Sequence, residues 1–312
     1  MPSLSAEAPA ISSRRDFIRS GALYLGSAAL SRAATADTRA PEPVIDVHQH
    51  VFYAGRTNTA LLAHVRAMGV TTAVLLPAGD RGPGRPGGSG EHEAVLAETR
   101  AHPGQYLFFA NEIPTDGDTR KSLERQLRRG AIGIGEQKFR VDCDSPEMVR
   151  VAEVAREFNV PILLHFSHGL YNMHFERFHR MLERFPTVNF IGHSGAWWAN
   201  IGKEYVQGND GPLGPVTPGG LTDRYLSDYP NCFADLSAET GYNAIVRDEA
   251  HYREFIRRHP HQLLFGSDCD DIVGRPPICT GARTIAAIRR VAPDKAAERR
   301  ILYENARRVL KL

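Results

Sequence analysis

Short apolar runs separated by helix-patterned stretches recur along most of the chain, and that alternation narrows its possible folds more than any other feature. The runs are Val44–His48, Thr72–Leu76, Tyr106–Ala110, Ile132–Lys138, Val160–His165, Val188–His193, Cys232–Asp235 and Leu263–Gly266. Each is rich in Val, Ile, Leu or Phe and has a length suited to a parallel strand buried on both faces. Helical periodicity occupies Asn58–Met68, Glu91–Ala101, Arg120–Arg129, Pro146–Phe158, Phe175–Phe185 and Asp248–Arg258, and again Arg283–Val291 and Ala296–Leu310. A proline closes a helix because its ring and missing N–H cannot continue the ladder. His102-Pro103, Phe185-Pro186, Tyr229-Pro230 and His259-Pro260 each set that stop before a strand. Strands alternating with helices imply a parallel sheet. Eight of them within 312 residues imply a closed (β/α)8 TIM barrel; an open doubly wound sheet is the competing arrangement. No second domain is expected, and residues 194–230 read as a loop insertion plus a helix.

The first residues follow a different logic. Ser13-Arg14-Arg15-Asp16-Phe17-Ile18 precedes the apolar run Gly21–Leu30 and the small-residue stretch Ala33-Ala34-Thr35-Ala36. That order of charged, apolar and small segments is the layout of an export signal, and the arginine pair resembles the bacterial twin-arginine motif. The resemblance implies that residues 1–36 are removed, which leaves residues 37–312 as the one barrel domain read from the strand pattern, and that the translocation machinery is a partner during export. It also implies a periplasmic or secreted destination. An ordinary amphipathic helix with a chance arginine pair is the plainer reading. The apolar run is too short to span a bilayer, so no stable membrane anchor is expected.

Charge and cysteines exclude some classes of function. Thirty-eight basic residues against 36 acidic ones leave a net charge of +2, so no electrostatic footprint for nucleic acid exists. Cys143, Cys232, Cys269 and Cys279 form no CxxC pair and no zinc-ribbon spacing. An oxidising compartment would permit one disulfide, whose pairing the sequence does not specify. Gly82, Gly84 and Gly87 formally match G-x-G-x-x-G, but Pro83 and Pro86 remove donors that a phosphate cradle needs. Gly79–Gly90 reads as a surface loop, or alternatively as a lid bringing Arg81 or Arg85 to an anionic substrate.

Residues of ligand type close the apolar runs. His48 and His50 end the first, two apart and therefore on one face of a strand. Glu136 and Lys138 end the fourth, His165 the fifth and His193 the sixth, and Asp268 follows the eighth. All strand C-termini of a barrel open on one face, so His48, His50, Glu136, His165, His193 and Asp268 should converge there. Each alone is compatible with a satisfied polar residue at a strand end; together they outline a metal site.

The pattern H-x-H after strand one, His after strands five and six and Asp after strand eight resembles the amidohydrolase superfamily. The local wording I-D-V-H-Q-H, G-x-G-E-x-K-F, P-I-L-L-H and L-x-F-G-S-D, and the closing E-N-A-R-R-V-L, is similar to its amidohydrolase-2 branch over the whole mature chain. The resemblance implies one or two divalent ions, Zn2+ by ligand type with Mn2+ or Fe2+ as substitutes. It implies hydrolysis of an amide, ester or lactone of a small molecule, with Asp268 binding metal and shuttling the water proton. His193 would complete a second metal or stabilise the oxyanion. Glu136 would be a ligand and Lys138 a substrate-binding cation, unless a modified Lys138 bridges two ions. Trp197 or Trp198 would wall the pocket, Ser267 would orient Asp268, and His168 would lie beyond the ligands or at the surface.

Three rival readings stay open on sequence grounds. The same branch contains non-oxidative decarboxylases of aromatic or enol acids, which need a cationic pocket that Lys138, Arg140 or Arg81 would supply. A TatD-type nuclease also uses a strand-four Glu. A catalytically silent binding protein could keep the scaffold. A homodimer is the default assembly for the fold.

Overall fold

All eight expected strands are present and run parallel: β1 (Ile45–His50), β2 (Thr72–Leu76), β3 (Tyr106–Phe108), β4 (Ile134–Gln137), β5 (Ile162–His165), β6 (Phe190–His193), β7 (Cys232–Asp235) and β8 (Leu263–Leu264). The computed structural model describes residues 42–77 and 89–312. The export-signal segment 1–36 and the loop cation Arg81 lie outside the described residues. Residues Glu42–Leu312 form one compact unit.

The strands form two ladders, β1-β2-β3 and β4-β5-β6-β7-β8, and backbone hydrogen bonds close both seams. Between β3 and β4, Ile132 N–H donates to Phe108 O at 3.0 Å, Ala110 N–H to Gly133 O at 2.8 Å and Gly135 N–H to Ala110 O at 2.8 Å. Between β8 and β1, Val47 N–H reaches Phe265 O at 3.0 Å and Asp268 N–H reaches His48 O at 2.8 Å. The cylinder is a closed (β/α)8 barrel with no free edge, which removes the open-sheet alternative.

The helices form for local reasons. Helix α4 (Pro146–Phe158) starts where the Ser145 hydroxyl accepts Met148 N–H at 3.3 Å and proline takes the first helical position. It buries Met148, Val151, Ala152, Val154 and Ala155, and ends at Asn159 with φ +55°. Pro103 follows α2 (Ser89–Ala101), and Phe185, Tyr229 and His259 cap α5 (His179–Arg184), α7 (Leu221–Asp228) and α9 (Glu249–Arg258). The ring-Pro pairs therefore all act as helix stops. Helix α8 (Ala238–Val246) was not expected from the pattern: it holds Gly241, whose absent side chain leaves room for the Leu236 carbonyl, 2.4 Å from where a Cβ would sit.

Two apolar layers surround the strands. The outer one packs helices on the barrel. The inner one joins Val47, Val74, Phe109, Leu163, Ile191, Phe233 and Leu264, and Ala306, Val309 and Leu310 of the terminal helix pack onto it. Leu163, Ile191 and Phe233 stand two residues before His165, His193 and Asp235, so they share a face with them. The barrel interior is therefore apolar directly beneath a polar rim.

Candidate metal centre

A register shift between Asp46 and Gln49 interrupts β1, and irregularities of this kind re-aim side chains. His48 and His50 then bring their Nε2 atoms to 3.1 Å. The other nitrogen of each ring is engaged. His48 Nδ1 donates to Asp235 Oδ2 at 2.7 Å and His50 Nδ1 donates to the Leu76 carbonyl at 2.9 Å. His193 is held in the same way: its Nδ1 donates to Ser237 Oγ at 2.8 Å, and that hydroxyl donates to Asp235 Oδ2 at 2.7 Å. Asp235 thus ends two donor chains and fixes the tautomers, as carboxylates behind metal-binding histidines do. His193 Nε2 is left buried without a partner, and so is Asp268 Oδ1.

The carboxylates complete the cluster. Glu136 Oε2 lies 3.5 Å from His50 Nε2 and 3.9 Å from His48 Nε2, and Asp268 Oδ1 lies 3.5 and 3.8 Å from the same atoms. On the far side, His193 Nε2 is 3.8 Å from Glu136 Oε1 and 3.7 Å from Asp268 Oδ2. His48, His50 and Asp268 form one compact donor group, and His48, Glu136 and His193 a second. Asp268 adopts φ +46°, a left-handed conformation that Asp tolerates, and its N–H is anchored on His48 O. Gly266 is required close by: a Cβ there would sit 2.2 Å from Asp235 Oδ1 and 3.0 Å from the His48 Cβ.

Electrostatics follow from burial and this crowding. Burial alone would lower His48, but Asp268 and Asp235 outweigh it and raise the ring to about 9. Burial, followed by the His48 and His165 rings nearby, pushes His193 well below the usual histidine range. Burial works against charge on Glu136, yet Lys138 and His165 hold its carboxyl well below the ordinary value. Burial raises the Asp268 carboxyl against the pull of His48 and His50. Two Nε2 atoms facing each other at 3.1 Å need a positive centre against them: a proton, or a metal ion. The donor set and the orphaned atoms fit a divalent cation.

The other expected residues fall differently. His165 turns Nδ1 to Glu136 Oε1, while its Nε2 accepts from Ser167 at 3.0 Å and Ser194 at 2.8 Å, so it stands outside both donor groups. Lys138 is half-buried, with Nζ 5.9 Å from the Tyr171 ring centre, and it is Glu136 that stands between the imidazoles. Trp197 does not wall the site. It is fully buried, stacks on Phe166 with ring centres 5.7 Å apart, and occupies the space a Gly192 Cβ would fill. Gly192 neighbours His193 and so faces outward, which puts Trp197 between barrel and helices. Trp198 donates from Nε1 to Asp235 O at 2.9 Å. The Ser267 hydroxyl bonds Asp46 rather than Asp268, tying the end of β8 to β1. His168 is exposed.

Asp235, Ser237 and Tyr53 were not singled out from sequence. Tyr53 sits in edge contact with His50, ring centres 5.4 Å apart, and the Asp268 charge, followed by burial, holds its phenol above the ordinary range. A cavity of about 340 Å³ opens beside Ser167, lined also by Phe166, His174, Tyr205 and Gln207.

A family model described as amidohydrolase matches residues 45–312; the chain belongs to that family and is an enzyme of the amidohydrolase type. Among curated proteins no relative matches. Solved structures share the fold. An uncharacterised TIM-barrel protein from Bordetella bronchiseptica superposes with TM-score 0.63 at 14% identity, covering 86% of this chain and 98% of that one. A probable 2-pyrone-4,6-dicarboxylic acid hydrolase from Acinetobacter baumannii with citric acid bound gives 0.57 at 15%, covering 86% and 99%. A 5-carboxyvanillate decarboxylase from Novosphingobium aromaticivorans, complexed with manganese and a nitrobenzoic acid, gives 0.51 at 14%, covering 81% and 79%.

Proposed function

We propose that the chain is a metal-dependent hydrolase of a small carbonyl compound, an amide, ester or lactone. His48, His50, Glu136 and Asp268 would hold one divalent ion, and His193 would help to hold a second. The observation that carries this reading is the pair of Nε2 atoms 3.1 Å apart with the unpartnered Asp268 Oδ1 beside them. Two imidazoles on one tetrahedral Zn2+, at bond lengths of about 2.0–2.1 Å, stand roughly 3.3 Å apart. Imidazole and carboxylate donors favour Zn2+ and also suit Mn2+ or Fe2+.

When bound, such an ion supplies Lewis acidity and shifts the pKa of water from about 15.7 toward ~7. Asp268, with Oδ1 facing the two Nε2 atoms, would accept the proton of the attacking water at Oδ2 and return it to the leaving group. His193 serves as a ligand rather than an oxyanion donor, since Nδ1 gives its proton to Ser237 and Nε2 accepts. His165 holds Glu136 in place. Lys138, whose charge acts on Glu136, and Tyr53, beside His50, are the groups that would meet the substrate.

Decarboxylation of an aromatic acid is the second reading, favoured by the Lys138 charge acting on Glu136 and Asp268 and by the manganese-bound decarboxylase of like fold. A panel of lactones, esters and amides, run beside hydroxybenzoic acids, separates the two. The hydrolase reading expects acid release, lost by at least ~100-fold in Asp268→Asn while the metal stays bound. Carbon dioxide release without hydrolysis would replace it.

A further inference from the structure

A second set of donors meets under the loop that follows β8, apart from the barrel mouth. His64 of α1 (Asn58–Ala67), Cys269 and Asp271 of that loop, and Cys279, the N-cap of α10 (Thr280–Val291), each bring one donor atom within 4.8 Å of all the others. Three of the six separations can be compared with the edges of a tetrahedral site. Cys269 Sγ and Cys279 Sγ are 3.4 Å apart, Cys279 Sγ and His64 Nε2 3.4 Å, and His64 Nε2 and Asp271 Oδ2 3.1 Å. Around a tetrahedral Zn2+ with Zn–S of about 2.3 Å and Zn–N and Zn–O of about 2.0–2.1 Å, those edges would be roughly 3.8, 3.5 and 3.3 Å.

The surroundings are arranged for anions. Gly281 N–H donates to Cys269 Sγ at 2.9 Å and Ala282 N–H to Cys279 Sγ at 3.4 Å, both from the first turn of α10. Asp271 Oδ1 takes the N–H groups of Val273 and Gly274 at 2.7 and 2.9 Å, which leaves Oδ2 for the cluster. Buried Arg56 donates to the Asp271 carbonyl at 2.8 Å. Two thiolates and a carboxylate around a dication leave one negative charge, and the Arg56 guanidinium offsets it. Gly281 lets α10 come this close: a Cβ there would sit 2.6 Å from the Ser267 Cβ and 3.1 Å from Cys269 Sγ.

We propose that His64, Cys269, Asp271 and Cys279 form a closed structural site for Zn2+, separate from the catalytic centre. Four protein ligands with no open position mark structural rather than catalytic zinc. Binding releases the two thiol protons to solvent. The ion ties α1 and the start of α10 to the loop that opens with Asp268, the residue directly before Cys269. It therefore braces the segment that carries the proposed base.

The test loads the full-length protein with cobalt(II) alone and records its absorption spectrum. A thiolate-to-cobalt charge-transfer band is expected, because the centre at the barrel mouth contains no sulfur. The band should vanish in Cys279→Ser with loss of one metal equivalent per chain, and persist in a His48→Ala/His50→Ala double variant. That second variant keeps this test separate from the fate of the hydrolase reading. Zinc absorption spectroscopy on the unmutated protein, expected to show sulfur at about 2.3 Å, decides the matter if Cys279→Ser does not fold. Absence of sulfur from the metal shell, a thiolate band surviving in Cys279→Ser, or a Cys269–Cys279 disulfide in protein purified without oxygen would each overturn the proposal.

Discussion

Replacing Asp235 with alanine probes how the centre is held. Asp235 is fully buried and accepts from His48 Nδ1 and Ser237 Oγ, each at 2.7 Å. Its removal strands two buried donors and frees both imidazole rings to turn. Outer partners of this kind are worth about 10–100-fold in metal affinity, or roughly 1.4–2.7 kcal/mol. The proton balance gives a second reading. His48 is raised to about 9 by Asp268 and Asp235 acting against burial. Below that pH the metal-free ring is protonated, so an ion must displace a proton, and apparent affinity should rise about tenfold per pH unit through neutrality. Without Asp235 the ring titrates lower and that slope should flatten near pH 7. The assay is a competition titration against a chromophoric chelator from pH 6 to 9, with circular dichroism to verify folding. A folded Asp235→Ala protein that binds metal as tightly as the parent, with the same pH slope, would refute the reasoning.

Other consequences concern stability. Phe233 fills the barrel interior at 1% exposure; Phe233→Ala should cost about 3–5 kcal/mol, read as a lowered midpoint in urea. Asp223 accepts His259 Nε2 at 2.6 Å and pairs with Arg258 at 3.1 Å, partners that hold its carboxyl below the ordinary value against burial. A depressed carboxyl contributes stability above its unfolded pKa of about 3.9 and loses it as pH falls through the folded value. Asp223→Asn should therefore destabilise at pH 7 by about 1.5–3 kcal/mol and remove that part of the acid loss in thermal melts between pH 5 and 2. An unchanged acid limb would show that Asp223 does not contribute to it.

The architecture was legible because its signals are local. Alternating apolar runs, prolines at helix ends and the titratable residues that close the first, fourth, fifth, sixth and seventh runs all survive in the fold, and β2 and β7 begin and end where the pattern places them. Asp235 closes β7 by the same signal that marks His165 and His193, so its presence could be read, though its partnership with His48, 187 residues away, could not. The irregularity in β1 depends on strand register, which no short segment encodes, and Trp197, expected to wall the pocket, instead packs over Gly192 because the helix that carries it folds back onto the barrel. Ser267 turned to Asp46 because β8 closes on β1. The donor set of His64, Cys269, Asp271 and Cys279 has no motif spacing. It arises only where α1 packs against the β8 loop, 215 residues separating His64 from Cys279.

The central claim is that His48, His50, Glu136 and Asp268 grip one divalent cation. Anomalous diffraction from crystals of the metal-loaded protein, recorded on both sides of the metal's absorption edge, addresses it directly. A peak about 2.0–2.2 Å from both His48 Nε2 and His50 Nε2 is the expected result. Density for both rings with no scatterer between them and the carboxylates, in protein shown to carry stoichiometric metal, would contradict it.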